Sequence, residues 1–188
     1  GSFFPYLHNQ LESKFELYEA YSEFWATLLN ICFVSYFNLY EKNEKNYLLY
    51  TNFNLNLEKT FSLLQTIKVL HKMNIIDYQT LYKKDRISRI SRNLYKEKTN
   101  VFCYYILKMI FLVHIDDFLL YCNTNNINII KFHKENNNSY NYLFKFIKEK
   151  HNSKKLLNWL EKAQNMNENI DDVFFVNTTR MTSVEIDI

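Results

Sequence analysis

The group of residues closest to an acid–base site is His114 with Asp116 and Asp117, inside an apolar stretch. Residues three apart share one face of a helix, so the His114 imidazole can hydrogen-bond to the Asp117 carboxylate. Such a pair can act as a general acid or base. A histidine that satisfies its hydrogen bonds inside a core has the same pattern, and no serine or cysteine stands in a nucleophile context. We therefore predict no catalytic residue and a protein that is not an enzyme.

Metal and cofactor sites are not expected either. Zinc sites need cysteine or histidine ligands at short, regular spacing. The chain has no Cys-x-x-Cys and no two-histidine pair at helical spacing, and its candidate ligands are Cys32, Cys103, Cys122, His8, His71, His114, His133 and His151. Gly1 and Ser2 read as an expression-tag remnant, which leaves no glycine for a dinucleotide or phosphate loop. We expect buried free thiols, no metal and no cofactor.

The strongest concentration of charge is a basic patch in residues 83–98. Its proposed members are Lys83, Lys84, Arg86, Arg89, Arg92 and Lys96. Such a patch can bind phosphate groups of an anionic membrane surface or an acidic protein partner. The alternative is an ordinary solvated helix face. A net charge of +3 is too small to argue for nucleic acid as the partner.

The elements that must position these residues are helices. One proline near the start and no native glycine leave few residues for β-turns, while abundant asparagine can supply left-handed helix caps. We predict an all-α fold, an elongated bundle of about four long helices. The bundle should cover residues 3–165, with residues 166–188 as an acidic C-terminal tail or a packed extension.

The first helix shows the clearest periodicity. Steps of four and three residues connect a coiled-coil-like seam, which comprises Leu11, Phe15, Tyr18, Ser22, Trp25, Leu29, Cys32, Tyr36 and Leu39. Polar residues interrupt this and other apolar helix faces at Ser22, Asn30, Lys108 and His114. We expect such residues to weaken the closed bundle and to ease its opening.

The remaining chain divides at polar segments. We interpret residues 43–56 as a connection and start a second helix near Leu55. The sequence leaves open whether this helix is continuous through residues 74–77 or pauses there, where Asp77 can cap a new helix. Residues 101–122 should form a central helix buried on most sides. The last helix should cover residues 140–165, and Ser153 can interrupt it as a cap.

The uncharged run 24–40 raises the question of a membrane. It has 17 residues with several polar ones among them, whereas a spanning helix needs about 20 mostly apolar residues. Core-facing helices are one interpretation. The other is a bundle that opens and lays aromatic faces on lipid or a partner, with contacts from Phe24, Trp25, Phe33, Tyr36 and Phe37.

Two resemblances add expectations to this interpretation. The order of features over residues 64–113 resembles the transcription elongation factor N-terminal domain, with matching positions at Leu70, Ile76, Leu81, Ile87, Ile90, Leu94, Ile106 and Ile110. Ser88 stands where that family usually has glycine, and the family's usual tryptophan in the last helix is missing. The resemblance implies an intracellular module that binds peptides of a transcription complex.

The whole chain, with its length, asparagine-rich composition and long helices, is similar to the SPECT family of sporozoite cell-traversal proteins of malaria parasites. That resemblance implies a non-enzymatic bundle that acts at a membrane or host-cell surface by rearranging. It also implies a secreted or secretory-organelle location, whereas the elongation-factor resemblance implies an intracellular one.

Overall fold

The computed structural model describes residues 14–72, 74–83, 85–86, 102–133, 136–168, 170, 178, 180 and 182–183. These residues form no strand, and the predicted all-α class is confirmed. The described α-helices are α1 (Lys14–Phe37), α2 (Glu44–Lys72), α3 (Lys108–Val113), α4 (Ile115–Asn125), α5 (Asn137–Lys150) and α6 (Lys154–Asn167). Only α1 and α2 are long, with 24 and 29 residues. The prediction of about four long helices is therefore not confirmed.

Helices α1 and α2 form a hairpin whose turn lies earlier than predicted. Helix α1 ends at Phe37, and residues 44–56, interpreted as a connection, are the first turns of α2. The interpretation was wrong because a helix start was overlooked. The Asn43 side chain accepts a hydrogen bond from the Asn46 amide at 2.8 Å, and Glu44 adds a carboxylate to the first turn. Both features stabilise the N-terminus of a helix.

The buried side of α1 is wider than the predicted seam and extends to the positions one residue before it. The added positions, buried or partly buried, are Leu17, Tyr21, Phe24, Leu28, Ile31 and Ser35, while Trp25 and Leu39 of the predicted seam are also buried. Ser22 is exposed, so its assignment to an apolar face was wrong. One residue rotates a helix by about 100°. Apolar side chains surround α1 on most of its circumference, so their spacing alone cannot choose the core face.

Helix α2 ends at Lys72, which decides the continuity that the sequence left open. Asn74 has a φ of 59°, and the Ile75 amide donates to the Leu70 carbonyl at 2.8 Å, which is a Schellman cap. The Asp77 side chain then accepts from the Gln79 amide and begins a 3₁₀ turn, Tyr78–Leu81. The second helix is thus discontinuous through residues 74–77.

The central segment is buried as predicted but is not one helix. A π-helical stretch, Phe102–Leu107, leads into α3, and every described residue from Ile106 to Ile115 is buried. His114, with φ −106° and ψ 33°, breaks the helix between α3 and α4. The Thr66 hydroxyl donates to the Tyr105 carbonyl at 3.1 Å, so α2 satisfies a carbonyl of the π-helical stretch.

The last predicted helix is two helices, and its proposed interruption is correct. The Ser153 hydroxyl accepts from the Leu156 amide at 3.1 Å and caps α6. Helix α6 runs to Asn167, two residues beyond the predicted end of the last helix.

One aromatic core joins most of these elements. The Phe111 and Phe118 rings stack with centroids 4.2 Å apart, and Phe24 meets Phe118 edge-on at 4.7 Å. The first half of α1, the second half of α2 and helices α3–α6 all contribute to this core. In the other half of the hairpin, Ile31 and Val34 are buried outside that core cluster. We call residues 29–57 the arm and the rest of the described chain the body.

Candidate functional site

The arm concentrates exposed apolar side chains. Ten of the seventeen exposed large hydrophobic residues in the described chain lie there, namely Leu29, Phe33, Tyr36, Phe37, Tyr40, Leu48, Leu49, Tyr50, Phe53 and Leu57. Monomeric soluble proteins rarely expose apolar patches this concentrated unless the patch binds something. The arm is therefore the candidate functional site.

The predicted contact residues fall into two groups. Phe33, Tyr36 and Phe37 are exposed on the arm. Phe24 and Trp25 are buried in the body, so in this conformation they cannot meet a membrane or partner. Trp25 is a position of the predicted seam, and Phe24, one residue before it, packs directly into the aromatic core.

Half of the site was missed by the sequence analysis. Leu49, Phe53 and Leu57 of α2 are four residues apart and form one exposed stripe. Because residues 43–56 were interpreted as a connection, their helical spacing was not considered. Read as a helix, the segment would have shown an apolar stripe with i, i+4 spacing.

The charge of the arm is small and balanced. Residues 24–57 contain only four charged side chains, Glu41, Lys42, Glu44 and Lys45, all at the hairpin turn. The Lys42 ammonium lies 4.8 Å from the centroid of the Tyr36 ring, a cation–π contact. None of the described helices combines the length and hydropathy of a bilayer-spanning helix.

The basic patch is described only in part. Lys83 and Arg86 are exposed, and the Lys83 ammonium pairs with Asp77 at 3.0 Å. An exposed pair of this kind contributes little stability, so the Lys83 ammonium can exchange Asp77 for another anion. Lys84, Arg89, Arg92 and Lys96 lie outside the described residues or have no described side chain.

Lys108 is a buried charge at the centre of a polar network. Its ammonium lies 3.6 Å from a Glu58 oxygen and 3.9 Å from a Glu23 oxygen. Burial lowers the pKa of Lys108, and the two carboxylates oppose this shift. Glu58 is fully buried and accepts further hydrogen bonds from the C-terminal segment at residues 182 and 183. Asn30, the other predicted polar interruption, is half-buried on α1.

His114 joins three helices. Its Nε2 is 2.8 Å from the Ser153 hydroxyl of the α6 cap, and its Nδ1 is 3.6 Å from the Asp117 carboxylate. Burial and the positive charges of Lys150 and Lys155 lower the pKa of His114 to about 4. The imidazole is therefore neutral at physiological pH.

The order serine, histidine, aspartate resembles a catalytic triad, but its geometry is that of a structural junction. The Asp117 carboxylate is beyond hydrogen-bond distance of His114 and binds the Lys150 ammonium at 2.6 Å instead, which lowers the pKa of Asp117. The His114 ring is only 3% exposed, and the Ser153 oxygen is engaged by the Leu156 amide. Sequence analysis missed Ser153 as the partner because it lies 39 residues away.

A groove of about 260 Å³ lies between the end of α2, the 3₁₀ turn and α6. Its lining comprises Ile67, Leu70, His71, Ile76, Asp77, Tyr78, Gln79, Leu157, Asn158, Leu160, Glu161 and Gln164. In the described part of the chain, no three histidine, cysteine, aspartate or glutamate side chains are placed to hold a metal ion.

Comparison of the chain with protein-family models, with curated proteins and with solved structures gives no match.

Proposed function

We propose that this protein is a non-enzymatic helical bundle that acts at a membrane or host-cell surface, with the arm as its contact site. The observation that carries the proposal is the concentration of exposed aromatic and aliphatic side chains on residues 29–57. Host-cell traversal by conformational rearrangement is the form of this function that the SPECT resemblance implies, together with a secreted or secretory-organelle location.

A lipid surface suits the composition of the arm. Tyrosine, phenylalanine and leucine partition into the interfacial region of a bilayer, and the tyrosine hydroxyls can remain hydrated there. Tyr40, at the hairpin turn, is fully exposed, and Tyr36 and Tyr50 are nearly half exposed. A shallow insertion of the hairpin needs no spanning helix, since an interfacial element penetrates only about 5–10 Å.

The basic patch can add an electrostatic contribution to the same contact. Each lysine or arginine near an anionic surface contributes about 1 kcal/mol. The arm carries no net charge, so the hydrophobic part of binding should not depend on headgroup charge. We therefore expect binding to neutral vesicles and stronger binding when anionic lipid is present.

Vesicle flotation tests the proposal with a matched pair of double variants. Phe37→Ser/Phe53→Ser removes arm side chains that are 63% and 66% exposed. Ile76→Ser/Leu120→Ser removes side chains of the body that are 77% and 66% exposed. Neither variant should change folding, because these groups are largely hydrated already.

We expect the arm variant to lose at least about tenfold in partition coefficient, since each lost side chain removes about 1–2 kcal/mol of apolar burial. The body variant should float like the wild type. Equal recovery of both variants, or no flotation of the wild type with anionic and neutral lipid at neutral and acidic pH, would reject the proposal. If the wild type does not bind vesicles and elutes as a dimer in size-exclusion chromatography, the arm is a self-association surface instead.

The second candidate is the intracellular peptide-binding module of the elongation-factor resemblance. The 260 Å³ groove favours it, because buried Ile67, Leu70 and Leu160 lie below a polar rim that includes Asp77 and Glu161. The described helices that follow α2 are also short, as this candidate requires. The predicted groove near residues 87–94 lies outside the described residues.

Enrichment from a random-peptide library tests this candidate. We expect apolar peptides with a flanking lysine or arginine, and loss of their binding in Leu157→Asp. No enrichment over the Leu157→Asp control would remove the candidate.

A further inference from the structure

Among the residues that the structure describes, polar contacts attach the C-terminal segment to α2 at two points. At the first, a Glu58 oxygen accepts from the Ser183 amide at 2.7 Å, the Ser183 hydroxyl at 2.8 Å and the Thr182 hydroxyl at 3.1 Å. At the second, the Lys68 ammonium donates to the Thr178 carbonyl at 2.5 Å. We call the described residues Thr178, Arg180, Thr182 and Ser183 the strap.

The two attachment points give the strap a direction. Thr178 pairs with Lys68 and Ser183 with Glu58, so the strap runs antiparallel to α2. The described residues of the strap therefore lie along residues 58–68 of α2.

The α2 face between the two attachment points is polar and incompletely satisfied. Glu58, Ser62 and Gln65 follow helical spacing and are buried. The Ser62 hydroxyl and both polar atoms of the Gln65 amide have no hydrogen-bond partner. Each such buried atom costs about 1–3 kcal/mol relative to a hydrated one. Entry of water after release of the strap would recover part of this cost.

The first attachment point lies where the arm meets the body. Leu57 is the last exposed residue of the arm, and Glu58 next to it is fully buried. Glu58 also pairs with Lys108 of α3, so it connects α2, the strap and the core. A change at Glu58 therefore acts on the joint of the arm.

We propose that the strap is a releasable lock on the polar face of α2, and that negative charge at Ser183 opens it. A carboxylate or phosphoryl group at Ser183 would lie against the buried Glu58 carboxylate, and like charges there repel strongly. Release hydrates Glu58, Ser62 and Gln65 and frees the arm joint, while the aromatic core stays intact. The effect on membrane binding rests on the proposed function, whereas the opening of the strap does not.

Amide hydrogen exchange of the full chain tests the lock directly. In the wild type, the Ser183 amide should exchange at least tenfold more slowly than an unstructured amide. Ser183→Asp should remove that protection and leave the amides of residues 63–70 unchanged. The matched control Thr178→Asp places the same charge beside the Lys68 ammonium and should leave the strap closed.

The neutral variant Ser183→Asn has nearly the size of aspartate and no charge, so it should keep most of the protection that Ser183→Asp loses. An unprotected Ser183 amide in the wild type would overturn the lock. Equal protection in Ser183→Asp and the wild type would overturn it as well. Loss of amide protection throughout residues 63–70 in Ser183→Asp would also overturn the lock, because that result means global unfolding rather than release of the strap.

Flotation on phosphatidylcholine vesicles that contain about one third phosphatidylserine tests whether release of the strap changes membrane binding by the arm. Ser183→Asp should raise the bound fraction at least about threefold, and Thr178→Asp should not. If exchange changes as expected but no variant floats, the membrane function fails and the lock stands. If exchange does not change, the lock fails whatever the vesicles show. Strap release with unchanged flotation in a wild type that does float would overturn the coupling.

Discussion

Lys108 is the residue whose environment departs most from its local sequence. It lies in an apolar helix, yet carboxylates of α1 and α2 approach its ammonium within 4 Å. Removal of one partner from a buried pair typically costs about 3–5 kcal/mol, because the remaining charge is left uncompensated. Lys108 is recognisable in the sequence as a polar interruption, but Glu23 and Glu58 are 85 and 50 residues away and share no motif with it.

His114 makes stability depend on pH. Its pKa is about 4 in the folded protein and about 6.5 when unfolded. Between these values the unfolded state binds more protons, so the free energy of unfolding falls as pH falls. Linkage gives a loss of about 2 kcal/mol between pH 7 and pH 5 from this residue. Urea unfolding at both pH values measures it.

The variant His114→Gln should lose most of this pH dependence, because glutamine keeps a partner for Ser153 and does not titrate. Burial also lowers the pKa of His151, so a smaller dependence in the same direction should remain. The exposed His133 provides the control, and His133→Gln should unfold like the wild type at each pH. An unchanged pH dependence in His114→Gln would contradict the assignment.

At the scale of elements, the caps were the most predictable features. Asp77 and Ser153 begin helical segments as predicted, and asparagine takes the left-handed position at the end of α2. Caps depend on residues adjacent in the chain, so the sequence contains the whole signal. Asn43 was missed because the polar residues around it resemble a loop.

The end of α2 permits a prediction for Asn74. At a φ of 59° glycine has no steric cost, whereas alanine costs about 1 kcal/mol or more. We expect Asn74→Gly to be neutral or slightly stabilising and Asn74→Ala to be destabilising by about 1 kcal/mol in urea unfolding. A more stable Asn74→Ala variant would show that the helix does not end there.

At the scale of the molecule, the arm and the body should differ in local stability. The buried residues Ile31 and Val34 lie outside the main core cluster, while residues 63–70 and 106–113 lie within or beside it. Segments with few buried apolar contacts open without global unfolding. We expect the amides of residues 30–36 and 46–54 to have a lower free energy of opening than the amides of the body. That free energy should depend little on urea concentration.

Amides of residues 63–70 should exchange only by global unfolding, with a steep urea dependence. Native-state hydrogen exchange at several urea concentrations separates the two cases. One common free energy of opening for the arm and the body would mean that the hairpin opens only with the core, which contradicts an arm that rearranges.

The sequence by itself left the continuity of the second helix through residues 74–77 open, but it determined the helical class, the break at Ser153 and the burial of the central segment. These properties depend on composition, on neighbouring residues and on long apolar runs. The tertiary structure decided which side of α1 faces the core, because its apolar residues surround the helix and only the neighbouring helices select one face. It also decided that Phe24 is buried while Phe37 is exposed. The partners of Lys108 and His114 likewise come from distant helices, and no local pattern specifies such contacts.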